Sequence, residues 1–236
     1  MHPPIRPADI FDRSGAVRRP PVWGVLREFV FDLTYRPRSP TRAGLADGGG
    51  HVVLVVPAFL TTDLVTRQLR RFLQQCGYRS FGWELGVNWG PTPRLMTALR
   101  RRVADLRGLA GDRISLVGLS LGGVLVRDVA YDCPNDVRQV ITIASPFNLP
   151  TAAAIEPLIW LTACFYRPAL DVARLATPLP VPSTAIFTRD DGIVAWQSCR
   201  RDDARCESVE VGGPHLSLGR NPDVLRAVAA RLGSTH

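Results

Sequence analysis

The 236-residue sequence predicts an α/β fold, a mostly parallel central sheet with helices on both faces. Three observations carry this. From His51 onward, short apolar runs rich in β-branched residues alternate with segments of helical periodicity. The connections between them are short, so successive strands are joined through helices and run parallel. The length suits one domain with one large core.

The elements follow in order. HVVLVVP, from His51, reads as a fully buried strand, being short, continuous and β-branched. Thr62 or Asp63 can cap a helix that runs to about Gln75, with Gly77 ending it. RSFGWEL is a second strand and GVNWGPTP a loop. A helix is expected from Pro93 to Arg107, with Leu95, Leu99, Val103 and Leu106 on one face. Arg113 to Gly118 is a third strand, Leu121 to Tyr131 a helix, and Val137 to Ala144 a fourth strand. Thr184 to Thr188 and Cys206 to Val211 complete the strands, and Asp223 to Leu232 is a closing helix. Residues 146–178 are different: an apolar helical segment, Ala152 to Phe165, between proline-rich flanks, expected as a short helical cap.

Residues 1–50 form an N-terminal extension, rich in Pro and Arg, ahead of the domain at 51–236. Inside it lies one amphipathic stretch, Val22 to Tyr35, with Val22, Leu26, Phe29, Val30 and Leu33 at helical spacing. The expectation is that this apolar face packs on the domain. A weak peripheral contact with a membrane surface is the other reading.

Composition narrows the classes. Hydrophobic residues make up 46% and charged residues 21%, which excludes wholesale disorder. No apolar run reaches the ~18–20 residues of a membrane-crossing helix. MHPPIRPADIFDRSG has charges and prolines where a secretory signal carries an apolar stretch, so a cytoplasmic location is expected. The net charge is +8, and every one of the 29 basic residues is arginine. They are scattered, so they read as solvated helix faces rather than a nucleic-acid surface. Five cysteines with no Cys-x-x-Cys spacing argue against a zinc site or a disulfide framework, although a Cys199–Cys206 pair stays open.

In parallel sheets, ligands bind beyond the carboxyl ends of the strands. The third strand ends in ISLVGLSLGG, which contains Gly118-Leu119-Ser120-Leu121-Gly122. A serine on a sharp turn between strand and helix has its hydroxyl pushed clear of the sheet, and glycines stand where side chains would collide. A serine hydroxyl needs a base, and the base an orienting acid. His2 and His236 are terminal, and His51 begins the first strand at the wrong end of the sheet. His215, just after the sixth strand, remains as the base. After the fifth strand stand Asp190 and Asp191; Asp191 is preferred, because the Gly-Ile-Val that follows it reads as a tight turn. The oxyanion of a tetrahedral intermediate needs amide donors. Leu121 would supply one. The loop PAFLTTD would supply the other, at Phe59 or alternatively at Leu60.

On these residues the chain resembles the α/β-hydrolase superfamily, in particular small bacterial esterase/lipase proteins. The resemblance runs from about His51 to Leu232, through VVPAFLTTDLVTRQLRRFL, GWELGVNWGP, LVGLSLGG, IASPF, PVPSTAIFTRDDGIVAW and GGPHLSLGRNPDVL. It departs at Pro57-Ala58, where such proteins commonly show histidine and glycine. It implies Ser120 as nucleophile, Asp191 as acid, His215 as base, and Phe59 and Leu121 as oxyanion donors, with no cofactor and no metal. Leu60, Asn88, Trp89, Leu158 and Trp160 are expected around the substrate, with turn-making the plainer role for Asn88. An apolar cap favours a lipophilic ester. The expected activity is hydrolysis of carboxylic esters. The alternatives are acyl transfer by the same triad, or lipid binding without catalysis.

Overall fold

The computed structural model describes residues 20, 22–35, 38, 40–148, 170, 172–175 and 177–234. The expected apolar cap segment, Ala152 to Phe165, lies outside them. Six strands form one sheet: β1 (Val52–Val56), β2 (Arg79–Gly82), β3 (Ile114–Leu119), β4 (Val137–Ile143), β5 (Ser183–Phe187) and β6 (Cys206–Glu210). Their order is β2-β1-β3-β4-β5-β6, and every neighbouring pair is parallel. The chain therefore starts near one edge, reverses once at β1, and winds outward to β6. All six carboxyl ends point to one rim.

The strands are buried on both faces, which is why β1 is a run of valines and leucine without alternation. Val53 and Val55 face α2 (Arg67–Gln75) and α5 (Pro222–Gly233), meeting Leu69, Phe72, Leu73, Leu225 and Val228. Val52, Leu54 and Val56 face α3 (Pro93–Ala110) and α4 (Leu121–Asp132), meeting Met96, Leu99, Val103, Leu125 and Val129. Helix α3 starts at Thr92, whose hydroxyl accepts the Leu95 N–H at 3.1 Å, and ends on left-handed Gly111. Among the described residues no helix is long and apolar enough to cross a membrane.

Two expectations are corrected. Helix α2 begins at Arg67 rather than at Thr62 or Asp63. The Asp63 carboxylate is used elsewhere: it accepts the N–H groups of Trp83 and Glu84 at 3.1 and 3.0 Å, tying the loop to the end of β2. The second correction concerns α1 (Val22–Thr34). The helix forms, but its apolar residues point outward, Leu26 being 67% and Leu33 77% exposed. The stripe at four-residue spacing, Gly24, Glu28 and Asp32, faces the protein instead. Glu28 is 0% exposed. A carboxylate can be buried this way because three N–H groups solvate it, as described below. Cys76, Cys133, Cys199 and Cys206 are free thiols, so no Cys199–Cys206 bridge exists.

Candidate active site

Ser120 sits between β3 and α4 with φ 52° and ψ −122°, a left-handed conformation that L side chains rarely adopt. Its N–H donates to the Ile143 carbonyl at 2.7 Å, and its carbonyl accepts the Gly123 N–H at 2.9 Å, so the turn is fixed from both sides. The neighbouring glycines are spatial requirements. A Cβ on Gly118 would stand 2.4 Å from the backbone of Gly123, and one on Gly122 2.5 Å from the Val56 carbonyl oxygen. Packing this close brings the start of α4 against the end of β1. Ser145, buried at the end of β4, donates to the Ile143 carbonyl at 3.2 Å and fills the space over Gly123.

Asp191 and His215 come from the loops after β5 and β6. His215 Nδ1 and Asp191 Oδ2 are 2.6 Å apart, and both side chains are buried. The other oxygen, Oδ1, accepts the N–H groups of Ile193 and Val194 at 2.9 and 2.7 Å. This is the tight turn read from Gly-Ile-Val, and its N–H groups stabilise the buried carboxylate. Asp190 points elsewhere: its carboxylate accepts the Gly213 N–H at 3.0 Å. With Nδ1 engaged, the imidazole has Nε2 to offer a hydroxyl. The 3₁₀ turn His215–Arg220 lies against the serine strand, since a Cβ on Gly219 would be 3.4 Å from Leu119 Cδ2. Among the described residues no hydrogen bond joins Ser120 Oγ to His215. Such contacts commonly tighten only with substrate in place.

Burial pushes the His215 pKa down. The Asp191 charge, the Asp191 hydrogen bond and the Glu28 charge act upward, and the net direction is above the ordinary value. His51, by contrast, stands at the opposite end of β1, bonded to Ser115 Oγ at 2.8 Å.

The loop after β1 separates the two candidate amides. The Leu60 N–H already donates to the Asn88 carbonyl at 2.7 Å. Neither the Phe59 nor the Leu121 N–H donates to another group among the described residues. Asn88, expected near substrate, is fully buried and takes the turn-making role. Its Nδ2 donates to the Pro57 carbonyl at 2.8 Å, its Oδ1 accepts the Gly90 N–H at 3.1 Å, and its backbone N–H donates to Thr61. It pins the loop that carries Phe59. Leu60 and Trp89 are exposed, at 37% and 57%. Leu158 and Trp160 lie outside the described residues.

Glu28 is the residue the sequence reading missed. From α1 its Oε1 accepts the N–H groups of Gly192 and His215 at 2.8 and 3.0 Å, and Oε2 accepts that of Leu216 at 3.1 Å. The available signal was the Gly24-Glu28-Asp32 stripe at four-residue spacing, a polar line on an otherwise apolar helix.

No family model and no curated protein matches the sequence. Solved structures do match the fold. The thioesterase domain from the curacin biosynthetic pathway is 14% identical, with a TM-score of 0.51 over 80% of this chain and 93% of that one. A monoacylglycerol lipase from Paleococcus ferrophilus is 14% identical, with a TM-score of 0.57 over 80% and 96%. An extracellular α/β-hydrolase from a Paenibacillus species is 13% identical, with a TM-score of 0.55 over 78% and 100%. The chain has the α/β-hydrolase fold.

Proposed function

We propose that this protein is a serine hydrolase that cleaves carboxylic esters bearing an aliphatic acyl group. The observation that carries the reading is the strained Ser120 turn at the sheet rim that also bears the 2.6 Å His215–Asp191 pair. In the reaction, Ser120 Oγ attacks the ester carbonyl while His215 Nε2 takes the hydroxyl proton. Asp191 holds the imidazole tautomer and stabilises the imidazolium. The amides of Phe59 and Leu121 donate to the oxyanion of the tetrahedral intermediate. Collapse breaks the bond to the alkoxy group, which leaves with the proton from His215. A water deprotonated by the same nitrogen then attacks the acyl-enzyme; collapse breaks the bond to Ser120 Oγ, which takes that proton back from His215 as the acid is released. The monoacylglycerol lipase and the thioesterase domain among the structural neighbours support ester chemistry on this fold. Leu60 and Trp89, exposed on the two loops beside the oxyanion amides, are the proposed first contacts for the acyl or alcohol group.

The test is Ser120→Ala. The variant is expected to keep its circular dichroism and thermal midpoint and to lose p-nitrophenyl ester hydrolysis by about 10³-fold or more. Near-full activity would sink the mechanism. The outward apolar face of α1 favours a second, compatible reading: the protein makes weak peripheral contact with a lipid surface.

A further inference from the structure

Helix α1 touches the site by its polar stripe, and each residue of that stripe has a partner there. Gly24 crosses Gly192 so closely that a Cβ on Gly24 would meet the Gly192 carbonyl oxygen at 2.9 Å. Glu28, one turn on, receives three N–H groups, one from the loop of Asp191 and two from the turn of His215. Asp32, a turn further, accepts from Arg220 Nη2 through its carboxylate at 2.5 Å and its carbonyl at 2.6 Å, anchoring the far end of the same turn. One buried carboxylate thus ties together the backbones of the two loops that carry the acid and the base. Those loops come from different strands, and each carries only a short 3₁₀ turn, Trp196–Cys199 after Asp191 and His215–Arg220 at the base. A carboxylate receiving bonds from both restricts how far they can shift relative to one another.

We propose that Glu28 is a positioning residue: by clamping Gly192, His215 and Leu216 it sets the place of the imidazole relative to the Ser120 hydroxyl. The inference rests on the reading of Ser120, His215 and Asp191 as a triad. It gives helix α1 a part in the chemistry. Glu28 makes no contact with Ser120 and acts only through the two loops. Among the described residues, the charged groups packed about the imidazole are Asp191, from the loop after β5, and Glu28, from α1.

The experiment compares the full chain with its Glu28→Gln and Glu28→Asp variants, using fluorophosphonate labelling of Ser120 and the pH profile of p-nitrophenyl butyrate hydrolysis. Gln keeps the shape but removes the charge and one acceptor. The expected result for Glu28→Gln is stoichiometric labelling at a rate about 10- to 100-fold slower, with kcat reduced and KM unchanged. The acid limb of kcat/KM should move to lower pH, because removing a negative charge near His215 lowers its pKa. Glu28→Asp keeps the charge but is one methylene shorter, so it should slow turnover while leaving the acid limb in place. A purely structural role would lower the thermal midpoint and the active fraction without moving the limb or the rate per labelled site, and that result would overturn the proposal. Should Glu28→Gln fail to fold, Glu28→Asp decides: wild-type kcat overturns the proposal, and a lowered kcat at an unmoved limb supports it. Failure of the wild-type protein to label at Ser120 would instead remove the triad reading, and the proposal with it. That outcome is distinguishable because it occurs before any variant is compared.

Discussion

Ser120 holds a backbone conformation that costs about 1–3 kcal/mol, and it does so because its N–H, its carbonyl and three crowded glycines over-determine the turn. The conformation places a hydroxyl at the rim with helix α4 starting directly behind it, where the free amides and the dipole favour developing negative charge. His215 is tuned in the opposite sense to its burial. Desolvation alone would lower its pKa, yet Asp191 and Glu28 carry it above the ordinary imidazole value of 6.5. The proposed base works only when neutral. Activity should therefore fall on acidification along a limb centred above 6.5. Measuring kcat/KM across the pH range checks this. A limb at or below the ordinary imidazole value would contradict the charge arrangement around His215.

The loops, more than the strands, decide the chemistry at the scale of elements. The loop after β1 is held by a single side chain from the loop after β2, since Asn88 bonds the Pro57 carbonyl and receives the N–H of Gly90. Its backbone also pairs with Leu60 and Thr61. The backbone on either side of Phe59 is thus held by a fully buried side chain of another loop. Asn88→Ala leaves the buried Pro57 carbonyl and the Gly90 N–H without those partners. It is expected to cost about 1–3 kcal/mol of stability in denaturant titration and to lower kcat with little change in KM. An unchanged kcat would mean that the loop keeps its place without Asn88. The same logic explains α2. Asp63, one of its two expected capping residues with Thr62, is recruited to the end of β2, and the helix starts at Arg67.

Across the whole molecule, the sheet order puts β3, with Ser120, in the middle and β5 and β6, with Asp191 and His215, toward one edge. Parallel strands bring all three to one rim, and two apolar layers hold that rim rigid. Helix α1 lies over the edge with its polar stripe inward, leaving Trp23, Leu26, Phe29, Val30 and Leu33 exposed on a chain of net charge +8. On the lipid-surface reading, the protein should pellet with vesicles containing anionic lipid, less so at raised salt. The double variant Leu26→Ser, Leu33→Ser should lose that binding yet retain hydrolysis of a soluble ester. Equal pelleting of variant and wild type would rule out this face as the contact.

Much of this could be read without coordinates, because periodicity is a local property. The six strands and the helices α3, α4 and α5 lie close to where apolar spacing and glycine placement put them. The turn at Ser120 is likewise written in five consecutive residues. Contacts between distant segments had no such local trace. The inward side of α1 was misread because hydrophobicity predicts burial only where no stronger partner competes, and three N–H groups from residues 192, 215 and 216 outweigh the apolar face. Asn88 was ambiguous for the same reason, since the Pro57 carbonyl to which its Nδ2 donates lies 31 residues away in the chain. The sequence by itself determined the fold and the residue types available for chemistry. Only the tertiary structure decided which carboxylates would be solvated by backbone amides, because that depends on which loops the folded sheet sets side by side.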